Sequence, residues 1–176
     1  MRYLLNTVIG FAILAAVLAA VGMMLPRGVT VERSIVIDAK AEEIFPLVNS
    51  MQRTEEWSPW LELDPDVKLT YEGPEEGVGN VLIWASDHPN VGRGRQEIVA
   101  SQEASEVRME LDFGDMGLAE ARFSLEGLGG GTKVTWALET EMGKGPIGGW
   151  IGLMMDRWVG ADYERGLANL KKVVED

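Results

Sequence analysis

Few side chains in this sequence could do acid–base or metal chemistry, and they are far apart. The single histidine, His88, sits in "DHPN", a run with the composition of a surface turn, and is expected to be solvated. No His, Asp and Glu residues recur at the spacing of a metal site. No serine stands in a nucleophile elbow. There is no cysteine, which removes thiolate ligands, disulfides and cysteine nucleophiles. The glycines of "GRGRQE" lack the strand–turn–helix setting of a phosphate loop and are expected to mark a bulge or close packing against a helix. No catalytic residue, metal or cofactor is therefore expected.

Two polar residues could serve recognition. Gln96 shares strand parity with Ile98 and Ala100, which would turn it inward. Arg157, beside Trp158, could offer its guanidinium to a ligand carboxylate at a cavity mouth. The plainer reading leaves both at the surface. The apolar candidates are more numerous. Trp84, Phe113, Phe123 and Trp136 fall at inward positions of alternating segments, with Met109 and Leu111 among them. Tyr71 has the same parity in an earlier segment, and Met154 and Trp158 extend the apolar stripe of the last helix. Such residues either fill a core or line an apolar pocket holding a few polar groups. In "TEEWSPW", Trp57 and Trp60 flank a Ser-Pro break among carboxylates that require water. These rings are expected at the end of a short helix, folded over the rim of the sheet; the alternative is that they only staple that helix to the sheet.

The elements that must position these residues are legible from periodicity. Val29, Val31, Ile35 and Ile37 alternate as a strand, interrupted by Arg33. Asp38 is a plausible cap for a helix carrying Ile44, Leu47, Val48 and Met51, and "QRTEEW" suggests a second short helix. Six strand patterns separated by turns follow: Val67–Tyr71, Val81–Trp84, Gly92–Ser101, Val107–Phe113, Ala121–Leu125 and Val134–Leu138. "GKGPIGGW" is expected to be a loop. From about Trp150 to Val174 the apolar residues step by three and four through Met155, Val159, Tyr163, Leu167 and Leu170, as on one long amphipathic helix. An antiparallel sheet with one apolar face must be covered, and this helix is the only element large enough.

Residues 3–25, "YLLNTVIGFAILAAVLAAVGMML", form a 23-residue run with one strongly polar side chain, Asn6. About 20 apolar residues suffice to cross a bilayer, so residues 1–27 are expected to be an uncleaved anchor and 28–176 a single domain. Arg2 on one side and Arg27 and Arg33 on the other leave the positive-inside signal nearly balanced. The domain is placed outside a bacterial cytoplasmic membrane. Residues 27–176 carry 15 basic and 28 acidic side chains, a net charge of −13. This disfavours nucleic acid as a partner.

In order, "VERSIVIDA", "EIFPLV", "EEWSPW", "YEGPEEGVGNVLIW", "GGGTKVTW" and "GADYERGLANLKKVVE" resemble the START-like, or SRPBCC, superfamily, in its polyketide cyclase/dehydrase and lipid-transport branch. The resemblance covers residues 29–176. It implies an α+β helix-grip fold, with a curved seven-stranded antiparallel sheet wrapped on a long C-terminal helix, and a cavity between them for an apolar small molecule. The expected site is then Trp57 and Trp60 at the cavity rim, with Tyr71, Trp84, Gln96, Met109, Leu111, Phe113, Phe123, Trp136, Met154, Arg157 and Trp158. The expected function is membrane-anchored binding of a hydrophobic small molecule or lipid without chemistry. A cyclase- or dehydrase-type enzyme and an interaction module of a membrane complex are the alternatives.

Overall fold

The computed structural model describes residues 2–176. Helix α1 spans Arg2–Met24 and leads directly into strand β1, Gly28–Ile37. Helix α2 covers Ala41–Val48, and a single 3₁₀ turn follows at Arg53–Glu56. The remaining strands are β2 (Lys68–Glu72), β3 (Val81–Ala85), β4 (Arg93–Gln102), β5 (Glu106–Asp112), β6 (Leu118–Gly127) and β7 (Thr132–Glu141). Helix α3, Pro146–Glu175, closes the chain. The seven strands form one antiparallel sheet in the order β1-β7-β6-β5-β4-β3-β2. The first and last strands are neighbours, in register from Gly28 opposite Glu141 to Ile37 opposite Thr132. This is the expected helix-grip arrangement.

Three local expectations are corrected. Lys40, not Asp38, is the N-cap of α2, and Glu43 reaches back to accept the Lys40 backbone N–H at 2.8 Å, half of a capping box. Helix α3 begins four residues earlier than its apolar period suggests. Gly145 is its N-cap and Pro146 occupies the first turn, where proline's missing N–H costs nothing. In β4 the register with β5 slips between Ile98 and Ala100. This bulge turns Ala100, opposite exposed Arg108, to the outer face and brings Ser101 inward, where its hydroxyl bonds Asn49, the C-cap of α2, at 2.7 Å. Gln96 and Ile98 precede the slip and keep inward parity.

The core lies between the inner sheet face and α2 and α3. Ile37, Ile44, Val48, Met51, Ile98, Val107, Met109, Phe123, Leu167 and Leu170 are fully buried in it. Arg33, which breaks the apolar face of β1, proves to be a clamp. Its Nε donates to Glu164 at 2.7 Å and its Nη1 to Asp156 at 2.9 Å. Between these carboxylates lies Gly160, where a Cβ would stand 2.1 Å from the guanidinium. The spacing 156, 160, 164 puts all three on one helix face, so the arginine lies in a slot made by the missing side chain. Hydrogen bonding from Arg33 holds the Asp156 carboxyl below its ordinary range. The clamp ties α3 to β1, and its Asp156 limb is lost as pH falls through that lowered pKa.

Candidate functional site

The inner face of the sheet has a closed part and an open part. The closed part is a nest of five rings. Trp136 on β7 stacks on Tyr163 of α3, with centroids 3.8 Å apart, and on Phe123 of β6 at 4.8 Å. Trp57 meets Phe123 and Trp136 edge-on at 5.6 and 5.4 Å, and Trp60 meets Trp136 and Tyr163 edge-on at 5.7 and 6.4 Å. The edge-on contacts suit the ring quadrupoles. Glycine at position 166 makes room, since a Cβ there would lie 2.8 Å from the Trp136 ring. Burial pushes the Tyr163 hydroxyl pKa up. The buried Trp136 indole N–H has no hydrogen-bond partner, and such a group is ordinarily satisfied.

The open part lies towards the β2 edge. Cross-strand register aligns Tyr71 with Leu82, Leu82 with Gln96 and Gln96 with Leu111. All four are half-buried although they face inward. Beside them the Trp84 ring packs edge-on to Phe113 at 5.8 Å. Trp84 lies opposite Gly94, where a Cβ would stand 2.4 Å from the ring. That glycine therefore serves a cross-strand aromatic contact, not packing against a helix. Polar groups are sparse. The Gln96 amide approaches the Met109 sulfur at 2.7 Å, and sulfur is a weak acceptor. The Tyr71 hydroxyl donates to Glu55 at 2.6 Å, tying β2 to the 3₁₀ turn. Burial, and then that carboxylate, push its pKa up.

The expected site residues thus separate into three groups. Tyr71, Trp84, Gln96, Leu111 and Phe113 line the open part, with Trp60 half-buried at the edge of the ring nest. Met109, Phe123 and Trp136 are inward but sealed. Trp57 is not at a rim: it is 4% exposed, and its indole N–H donates to the Leu47 carbonyl at 3.0 Å. It is the staple of the alternative reading. Met154, Arg157 and Trp158 lie on the exposed side of α3, away from the sheet. At 100° per residue they fall opposite Met155, Val159 and Tyr163, so the helical period itself excludes them from the inner face. Leu82 and Tyr163 belong with the inner-face residues but were not among the expected site residues. Leu82 shares the parity of Trp84, and Tyr163 lies on the apolar stripe of the helix.

Two surface clefts lie elsewhere. One, of about 410 Å³, is lined by Asp64, Asp66, Ser86, His88 and Arg93, and the other, of about 380 Å³, by Glu42, Phe45, Asn49 and Glu76. His88 lies in a turn, where its Nδ1 accepts the Asn90 backbone N–H at 3.3 Å. Among the described residues no three His, Asp or Glu side chains could together hold a metal ion.

A family described as polyketide cyclase / dehydrase and lipid transport matches residues 28–175. The chain belongs to this family. Solved structures share the family fold at low identity. A protein from Chromobacterium violaceum is 12% identical with a TM-score of 0.59, covering 84% of this chain and 98% of its own. A protein of unknown function from Staphylococcus aureus is 10% identical with a TM-score of 0.66, covering 84% and 94%. The di-domain ARO/CYC StfQ of the steffimycin biosynthetic pathway is 12% identical with a TM-score of 0.64, covering 85% of this chain and 51% of its own. No protein of curated function matches the sequence.

Proposed function

We propose that this family member is a membrane-anchored binding domain that takes a hydrophobic small molecule or lipid against the open inner face of its sheet, without catalysing a reaction. The observation that carries this is the half-buried row of Tyr71, Leu82, Gln96 and Leu111 beside Trp84 and Phe113. Apolar surface left partly wet gains free energy when a ligand covers it. A cyclase or dehydrase would need an acid or base poised near neutral pH. The groups offered here are an amide and a tyrosine whose proton is held tightly by burial and Glu55. The anchor reading rests on α1, whose residues Asn6–Met24 are long and apolar enough to cross a membrane. An apolar ligand partitions into that membrane, and tethering raises the domain's local concentration there. We place the domain on the outer side of a bacterial cytoplasmic membrane.

A fluorescent fatty acid titrated into the full chain in mild detergent is expected to bind saturably. Replacing Trp84 and Phe113 together with alanine lowers its affinity at least tenfold, about 1.4 kcal/mol, while the melting transition stays cooperative. Unchanged affinity in the folded double variant overturns the site.

The division into anchor and domain has its own test. A chain beginning at Gly28 is expected to keep the far-ultraviolet spectrum of the β-rich domain and unfold cooperatively in the same detergent. Loss of that transition, with the full chain folded, shows that α1 is part of the domain core.

A further inference from the structure

The amino-terminal half of α3 is apolar on both sides. Its inner side packs on the end of the sheet, where a Cβ at Gly152 would lie 3.0 Å from Val29. On the outer side Ile147, Trp150, Ile151, Leu153, Met154 and Trp158 are exposed, Trp158 by 51% and Met154 by 47%. At 100° per residue, all but Leu153 share an arc of about 100°, directly opposite Gly152, Val159 and Tyr163. Beyond Trp158 the same face carries Asp162, Arg165, Asn169 and Lys172. The outer stripe is therefore confined to the first three turns or so of the helix.

Helix α1 meets those turns. The Trp150 indole N–H donates to the Leu18 carbonyl at 3.1 Å. At the crossing the backbones touch, since a Cβ at Gly22 would lie 2.0 Å from the Pro146 carbonyl oxygen and one at Gly149 would lie 2.5 Å from that of Gly22. Such glycine-mediated contact is how helices pack within membranes. Leu18 lies six residues before Met24, about 9 Å along the axis at 1.5 Å per residue. The start of α3 is thus level with the last turns of the apolar span, not beyond its end.

We propose that the first three turns of α3 lie in the bilayer, in the leaflet from which α1 emerges, with the outer stripe facing acyl chains. This rests on the anchor reading of α1. Charge agrees with it. From Gly143 to Ala161 the only carboxylate is Asp156, which Arg33 holds on the inner side, whereas Lys144 and Arg157 are exposed. Trp158 and Arg157, where the stripe ends, are suited to the headgroup boundary, an indole by its amphipathic ring and an arginine by its long stem. The domain is then held at a fixed orientation on the membrane instead of swinging from a tether.

The absence of cysteine makes site-directed nitroxide labelling straightforward. Single cysteines at Ile151, Met154, Val8 and Lys172 are introduced into the full chain, which is placed in nanodiscs of phosphatidylcholine and phosphatidylglycerol. Labels at Ile151 and Met154 are expected to match Val8 of α1, colliding more with oxygen than with a water-soluble nickel chelate, and Lys172 to show the reverse. If Ile151 and Met154 match Lys172 while Val8 reports lipid, the face is free of the bilayer and the proposal fails with the anchor intact. If both labels are shielded from oxygen and nickel alike, or show spin–spin coupling between chains, a protein covers the face and the proposal also fails. If Val8 itself reads as aqueous, the anchor reading falls and the proposal with it.

Discussion

Replacing Trp57 with alanine destabilises the domain by about 3–5 kcal/mol, the usual loss for a large buried aromatic. The ring is almost fully buried and meets Phe123 and Trp136 edge-on. Its removal leaves a void that the sheet residues on either side cannot close. It also leaves the Leu47 carbonyl without the donor it has at 3.0 Å, and so loosens the end of α2. Trp57→Phe separates these effects: it keeps most of the apolar volume and gives up the hydrogen bond, so about 1–2 kcal/mol is expected. Trp60→Ala, at the half-exposed edge of the nest, costs less than Trp57→Ala. Denaturant unfolding followed by circular dichroism ranks the three. Equal losses for Trp57→Ala and Trp60→Ala would show that the two tryptophans are energetically equivalent and that the difference in burial does not govern them.

The second large effect is expected at Leu170. It is fully buried on the inner face of α3, in the same cluster as Ile37, Ile44 and Val134. Leu170→Ala costs about 2–5 kcal/mol, far more than the few tenths by which alanine's helix propensity favours it. A loss below about 0.5 kcal/mol, the size of an ordinary surface change, would mean that α3 does not form the core through this face. Differential scanning calorimetry of the full chain in mild detergent measures it.

The sequence alone determined the order of elements, and it did so because two periods are hard to confuse. Alternation of Val107, Met109, Leu111 and Phe113 with Arg108, Glu110 and Asp112 admits only a strand with one apolar face. Steps of three and four from Met155 to Leu170 admit only a helix. One such sheet and one such helix must bury their apolar faces together, so the architecture followed from the pattern. Met154 and Trp158 were expected on the inner stripe, yet the helical period that selects Tyr163 and Leu167 places them on the opposite side, where they are exposed.

Tertiary structure decided the rest. The slip after Ile98 depends on how β4 hydrogen-bonds to β5, and no residue in "EIVAS" signals it. Arg33 looked like a defect in β1 until Asp156, Gly160 and Glu164 arrived from more than a hundred residues away. Trp57 and Trp60 sit three residues apart in one polar segment, yet one is sealed and the other half-open. Their depths are set by Phe123, Trp136 and Tyr163, which reach them from other elements. Local pattern records which side of its own element a residue faces. How deep it lies depends on what the rest of the chain places over it.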